Sequence, residues 1–332
     1  MRMRRFGWAS VLAGALLVPT VGVGATPAVA PRTVAIIGDT PYGSAKLAEF
    51  PQLVAKINQD AAVSQVTHLG DIKNGSSVCS DAYFGTVRAL FDTFQDPLVY
   101  TPGDNEWTDC HRTNNGAYFP LERLAKVRQV FFPVPGQTLG ITKEAVATQA
   151  AAGFPAFVEN TRWTEAGAVF VALNVPGSNN DLVPWTNVTP AQAAQQQGEF
   201  DGRERANTAW LSSAFVAATN ANAPGIVIAI QADMWDDTAA LSGYDAFVHN
   251  IAALSVRFRK PVLLLEGDSH VFRVDHPFTV GDPLYSLHPL NGLSAPNVTR
   301  IVVEGSTNPT EYLRLKVDPS SPAVFSWTRV PL

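Results

Sequence analysis

Four short apolar runs in this chain end in the same dipeptide, Gly-Asp. They are TVAIIGD (Thr33–Asp39), VTHLGD (Val66–Asp71), PLVYTPGD (Pro97–Asp104) and PVLLLEGD (Pro261–Asp268). A fifth run, GIVIAIQAD (Gly225–Asp233), delivers Gln231 and Asp233 at the same point. Continuous apolar runs of this length read as strands buried on both faces. Helix-patterned segments lie between them at 45–62, 81–95 and 204–219, the last with Trp210 and Leu211 on its buried side. Strands alternating with helices predict a layered α/β fold. In open sheets of this kind, ligands bind beyond the carboxyl ends of the strands. One Gly-Asp is an ordinary turn or helix cap. Four of them after four apolar runs are a pattern, and they send Asp39, Asp71, Asp104, Asn105, Glu106, Gln231, Asp233, Asp268 and His270 toward one edge.

The rest of the chain is read around that frame. Ala168–Val175 is a further strand, 131–160 is an irregular excursion over the surface, and 299–330 alternates like antiparallel strands. No repeat or linker divides the chain, so residues 31–332 are read as one domain. The first 30 residues read as an export signal, with a basic start (MRMRRFGW), an apolar stretch and small residues before a cleavage point after Ala30. Arg4-Arg5 leaves a twin-arginine route open, and a membrane anchor is the alternative. The expected location is the periplasm or the medium. Cys79 and Cys110 are the only cysteines. In an exported chain they predict one disulfide between the loops after the second and third Gly-Asp; two separate thiols are the other reading. Net charge is −5 with no basic stripe, which gives no signature of nucleic acid bound through phosphate neutralisation. A monomer acting on a small or extracellular phosphoester is the partner expectation reached below.

Several carboxylates at one edge repel one another, and a divalent cation removes that repulsion. The residues and their order then resemble the calcineurin-like metallophosphoesterases, which include the purple acid phosphatases. IIGDTPY matches the family's first Asp and LGDIKN its Gly-Asp-x-x-Asn; PGDNEW resembles its Gly-Asn-His-Asp/Glu with Gly103 and Glu106 in register, and EGDSHVF its Gly-His-x-His with Gly267 and His270 in register. AIQADMW stands where an isolated His is usual, preceded by the Trp-Leu helix RANTAWLSSAF. The resemblance spans nearly all of 31–332. It implies a layered α/β/β/α sandwich with mixed sheets flanked by helices.

It also implies metal-ligand positions at Asp39, Asp71, Asp104, Asn105, Gln231, Asp233, Asp268 and His270. Departures from the family pattern bear on the chemistry. Asp104 stands at the amide-ligand position and Asn105 at that of the His that protonates the leaving group. Gln231 replaces the isolated His, Asp268 replaces the first His of the last pair, and Pro41 stands where the first Asp-x-His would end. Oxygen ligands favour Mg, Mn or Ca over Zn or Fe. One ion or two are compatible with the pattern, with Asp39, Asp71 and His270 the best-supported set for one.

The implied activity is hydrolysis of phosphate mono- or diesters by a metal-activated water. Asn105 cannot supply a proton but can bond a phosphoryl oxygen. His111 is the nearest candidate acid, Glu106 a carboxylate that orients Asn105 or a bound water, and Arg112 a candidate phosphate-binding fork. His68, inside an apolar run, reads as a core or supporting residue. The alternative is a member of the fold that binds metal or ligand without turnover. No G-x-S-x-G elbow is present, which argues against a serine esterase.

Overall fold

The computed structural model describes residues 29–308 and 310–332, with positions 1, 3 and 7 before them. The export segment read over 1–30 lies almost wholly outside the described residues. In chain order the elements are β1 (Arg32–Ile37), α1 (Gly43–Gln59), β2 (Val63–His68), α2 (Asp81–Phe91), β3 (Leu98–Tyr100), α3 (Pro120–Phe131), β4 (Ala147–Thr148), β5 (Thr161–Glu165) and β6 (Ala168–Ala172). There follow α4 (Gly177–Asp181), α5 (Pro190–Ala193), α6 (Gln196–Asn220), β7 (Ile226–Ala229), α7 (Asp245–Phe258), β8 (Val262–Glu266), β9 (Arg273–Asp275), β10 (Val298–Val302), β11 (Glu311–Val317) and β12 (Phe325–Pro331).

Two mixed sheets form, ordered β12-β11-β1-β2-β3 and β4-β5-β6-β7-β8-β10-β9. β1, β2 and β3 run parallel, as do β6, β7, β8 and β10; the remaining pairings are antiparallel. Three apolar layers account for the α/β/β/α arrangement. Phe50, Leu53, Val54 and Ile57 of α1, spaced for one helix face, join Phe84, Val87 and Phe91 of α2 under the first sheet. Val34 and Ile36 meet Phe170, Val227, Leu263 and Leu265 between the sheets. Trp210, Leu211 and Phe215 of α6 and Phe247 and Ile251 of α7 cover the second sheet. Alternate residues of β1 therefore face different layers, Ala35 and Ile37 one way and Val34 and Ile36 the other. α2 is started by Ser80, whose hydroxyl accepts from the Tyr83 amide, with Asp81 in the first turn.

The strand ends are shorter than the apolar runs. β1 stops at Ile37, β2 at His68 and β3 at Tyr100, so each Gly-Asp lies in the loop beyond. The tail keeps the expected antiparallel pattern, β10 against β9 and β11 against both β1 and β12, and departs from it only where β10 adds parallel to β8. A long connection between β8 and β10 made that choice, and periodicity alone does not report strand direction. The 131–160 excursion docks along β3, where the Leu98 and Leu139 backbones pair. Cys79 and Cys110 are joined, with Cα atoms 5.8 Å apart. Among the described residues no helix is long and apolar enough to cross a membrane.

Candidate metal centre

Three of the four Gly-Asp carboxylates leave the strands in an unusual backbone conformation. Asp39, Asp71 and Asp268 have φ of 51°, 54° and 71°, and His270 has 61°. Left-handed backbone disfavours side chains other than Gly, Asn and Asp. Such positions persist where surrounding structure over-determines them, and they cluster at functional sites. Here the surroundings are the strand-end hydrogen bonds: the Asp39 amide donates to the Gly70 carbonyl (2.9 Å) and the Leu69 amide to the Ile37 carbonyl (2.8 Å).

The loops bring the carboxylates into one cluster. Asp71, Asp104 and Asp268 each place an oxygen within 4.8 Å of the others. Asp39 adjoins them, both its oxygens accepting from the Asp268 amide at 3.0 Å. Glycines make this approach feasible. A Cβ on Gly177 would lie 2.7 Å from Asp104 Oδ2 and 2.8 Å from Asp268 Oδ2, and one on Gly103 would strike Asp71 Oδ1 at 2.1 Å. Asp39, Asp71 and Asp104 are buried. Burial, reinforced by the neighbouring acids, holds the Asp39, Asp71 and Asp268 carboxyls well above the ordinary carboxylate range.

Asp71 is the most tightly held. Its Oδ1 accepts from the Asn105 amide (3.1 Å), and its Oδ2 from Asn105 Nδ2 (2.5 Å) and the Tyr42 hydroxyl (2.9 Å). Tyr42 Oη also lies 3.1 Å from Asn105 Nδ2 and 3.2 Å from His270 Nε2, so it links loops from three strands. His270 Nε2 is 3.7 Å from Asp39 Oδ1. Its ring occupies space beside Gly305 that a Cβ would close, at 2.7 Å. Burial lowers the His270 pKa, favouring the neutral ring. Tyr42 and the glycines 177 and 305 are site residues that the strand-end pattern did not reveal. Tyr42 sits three residues past Asp39 in a loop that carries no motif of its own.

Other expected residues are placed differently. Asp233 is not available to a cation, because Arg300 Nη1 holds its Oδ1 at 2.5 Å and Ser269 and Arg273 hold Oδ2. Glu266 and Asp275 share the same guanidinium, so this is a buried ion network in the sheet. Gln231 is buried, but its Oε1 accepts from the Gly177 amide at 2.6 Å. Its Nε2 has no hydrogen-bond partner among the described residues. The acceptor end of this amide, the end able to ligate a cation, is thus spent on backbone. Glu106 braces the loops: its Oε1 accepts from the Asp71 amide (3.1 Å), the Gly103 amide (2.8 Å) and the Tyr100 hydroxyl (2.5 Å). His111 turns toward another loop, where its Nδ1 accepts from the Thr186 amide at 2.9 Å. Burial pushes its pKa down to about 4. A neutral ring bonded to Thr186 is a poor proton donor at neutral pH, which removes the reason for placing the acid there.

Arg112 stands at the rim. Its Nη1 pairs with Asp109 Oδ2 (2.5 Å) and its Nη2 donates to Ser178 Oγ (3.3 Å). Ser178 Oγ lies 2.8 Å from Asp104 Oδ2 and 2.7 Å from Asp109 Oδ1. Ser178, Asn179 and Asn180 have consecutive left-handed dihedrals, a turn anchored by buried Arg203 on Asn180. Lys73, buried, donates to the Asn105 carbonyl at 2.7 Å, and burial lowers its pKa to about 8. His68 supports the floor. Its Nδ1 accepts from the Gly70 amide (3.1 Å), so Nε2 carries the proton given to the Thr40 carbonyl (2.8 Å).

The donor set fits a hard divalent cation. The clustered groups are carboxylate oxygens, and buried Asp104 Oδ1 and Glu106 Oε2 have no hydrogen-bond partner among the described residues. Unpartnered buried carboxylate oxygens are costly unless something positive meets them.

No family model matches the sequence, and no curated protein matches it. Among solved structures, the chain is similar to GAP50, the anchor in the inner membrane complex of Plasmodium, at 9% identity and TM-score 0.46, over 91% of this chain and 89% of that one. It is also similar to purple acid phosphatase PPD1 from yellow lupin (Lupinus luteus) seeds, at 12% identity and TM-score 0.44, over 91% of this chain and 54% of that one. The chain thus spans about half the length of the lupin protein.

Proposed function

We propose that the strand-end cluster binds a hard divalent cation and that the protein is an exported, cation-dependent phosphoesterase of the calcineurin-like type. The observation that carries this reading is the convergence of Asp39, Asp71, Asp104 and Asp268 at one edge of two sheets, with a buried Asp104 oxygen left unpartnered. Asp71, Asp104 and Asp268 are the ligands proposed, with Asp39 and His270 adjoining. Mg, Mn or Ca suits this oxygen-rich set. Such a cation supplies Lewis acidity at a phosphoryl oxygen and acidifies a water.

The chain's own residues do the rest. Asn105 and Tyr42 hold Asp71 in one orientation, and Glu106 fixes the two loops that carry Asp71 and Asp104. Arg112, oriented by Asp109 and Ser178, offers its remaining N–H groups to a phosphate at the rim. The Cys79–Cys110 bridge ties the Asp71 and Asp104 loops together and supports an oxidising, exported setting. A second reading, binding without turnover, is favoured by one observation: the expected acid, His111, bonds Thr186 instead of facing the cluster.

The test is metal analysis of the purified chain, followed by hydrolysis of an aryl phosphate monoester and diester with Mg²⁺, Mn²⁺ or Ca²⁺. Retained metal with activity supports the enzyme; retained metal without activity selects the second reading. No binding of any of these ions ends both. Asp71→Ala is expected to abolish ion retention, and a variant that keeps its ion displaces Asp71 from the site.

A further inference from the structure

We propose that Gln231 binds the substrate rather than the cation, its Nε2 donating a hydrogen bond to an anionic oxygen of the phosphoryl group. This inference rests on the cation-site reading above. The amide is oriented by its surroundings. The Gly177 backbone N–H is a donor, so the atom 2.6 Å from it must be the Gln231 oxygen. The NH₂ end is then the end left over, and it is buried without a partner.

The side chain has little freedom to turn. Its Cβ and Cγ pass 2.9 Å from where a Gly70 Cβ would stand, and its Cγ passes 2.8 Å from that of Gly103. The Gln231 carbonyl accepts from the Gly267 amide at 2.8 Å, which holds the residue between the second and fourth Gly-Asp loops. The amide ends at Gly177, the glycine against which Asp104 Oδ2 and Asp268 Oδ2 pack. A buried donor without a partner costs stability, on the order of 1–3 kcal/mol. Its position beside a ring of acids gives it a natural acceptor once a cation and an anionic ligand are bound. A fixed donor aimed at developing negative charge is also what phosphoryl transfer requires.

The experiment uses the full chain, Mn²⁺ binding by electron paramagnetic resonance, and inorganic phosphate binding to the Mn²⁺-loaded protein. Gln231→Met removes both polar atoms at nearly constant volume. Gln231→Glu keeps the acceptor for Gly177 and replaces the donor by an acceptor. Both variants are expected to lose phosphate affinity by about tenfold or more, the size of a hydrogen bond to a charged group. Gln231→Met is expected to keep Mn²⁺ affinity within about threefold, because the side chain is not a ligand. The proposal is overturned if Gln231→Met loses Mn²⁺ and phosphate affinity together. It is also overturned if Gln231→Glu binds phosphate like wild type, since the contact to Gly177 would then be what matters. Wild-type protein that binds no Mn²⁺ refutes the cation site itself, and this role with it.

Discussion

Asp104→Asn is expected to make the cation-free protein more stable and the cation-loaded protein weaker. Asp104, Asp71 and Asp268 hold oxygens within 4.8 Å of one another. At that separation two unit charges repel by about 3.5 kcal/mol with an effective dielectric constant near 20. Asp104 has two such neighbours, but burial and neighbouring acids hold the Asp71 and Asp268 carboxyls above their ordinary range, which favours their neutral forms and lessens the repulsion. A gain of roughly 1–3 kcal/mol remains after that discount. The substitution keeps an oxygen for Ser178 Oγ, so little packing changes. In a chain of this size it corresponds to a few degrees in Tm, at about 2 °C per kcal/mol. Thermal denaturation in EDTA and in saturating Mn²⁺ reads both limits. Wild type gains about 2.7 kcal/mol at a cation concentration of 100 Kd, and the variant, with weaker affinity, gains less. The two proteins should therefore exchange rank between the conditions. A variant less stable than wild type in EDTA refutes the repulsive cluster on which the cation argument stands.

Two further outcomes follow from the same geometry. Stability of the cation-free protein should fall as pH rises from about 4, the ordinary carboxylate value, through the raised folded values of Asp39, Asp71 and Asp268. In that window the folded state binds more protons than the unfolded state, so deprotonation favours unfolding; saturating Mn²⁺ should flatten the slope, and a cation-free slope of the opposite sign in chemical denaturation counts against buried acids. Gly177→Ala should lower Mn²⁺ affinity by about tenfold or more, since its methyl would lie 2.7–2.8 Å from Asp104 and Asp268 oxygens, and titration with unchanged affinity would show the carboxylates to be elsewhere.

Much of the fold was legible because burial on both faces leaves an unbroken apolar run. β3, β7 and β8 lie within runs read from sequence, β1 and β2 begin one and three residues before theirs, and α1, α2 and α6 lie within or across the helical segments. The parallel pairing of β10 with β8 was not legible, because alternation is the same for parallel and antiparallel partners. The strand-end acids were legible as a group through their repeated Gly-Asp, and Asp39, Asp71, Asp104 and Asp268 do meet. Asp233 followed the same pattern, yet Arg300 from β10 claims it. A guanidinium arriving from 67 residues away leaves no local mark on the sequence. His111 was near the site along the chain but is drawn to Thr186, a residue of another loop.

What the sequence determined by itself is the alternation of strands and helices and the delivery of acids to strand ends, because each follows from local pattern; the pairing of the only two cysteines it left as the favoured of two readings, and the structure joins them. Only the tertiary structure decided which polar groups are spent on one another. It set Asp233 against Arg300, the Gln231 oxygen on Gly177, and Tyr42 among Asp71, Asn105 and His270. The physical reason is that a buried hydrogen-bonding group takes its role from its partner, and in this protein those partners arrive from distant segments through loops whose conformation no local periodicity encodes.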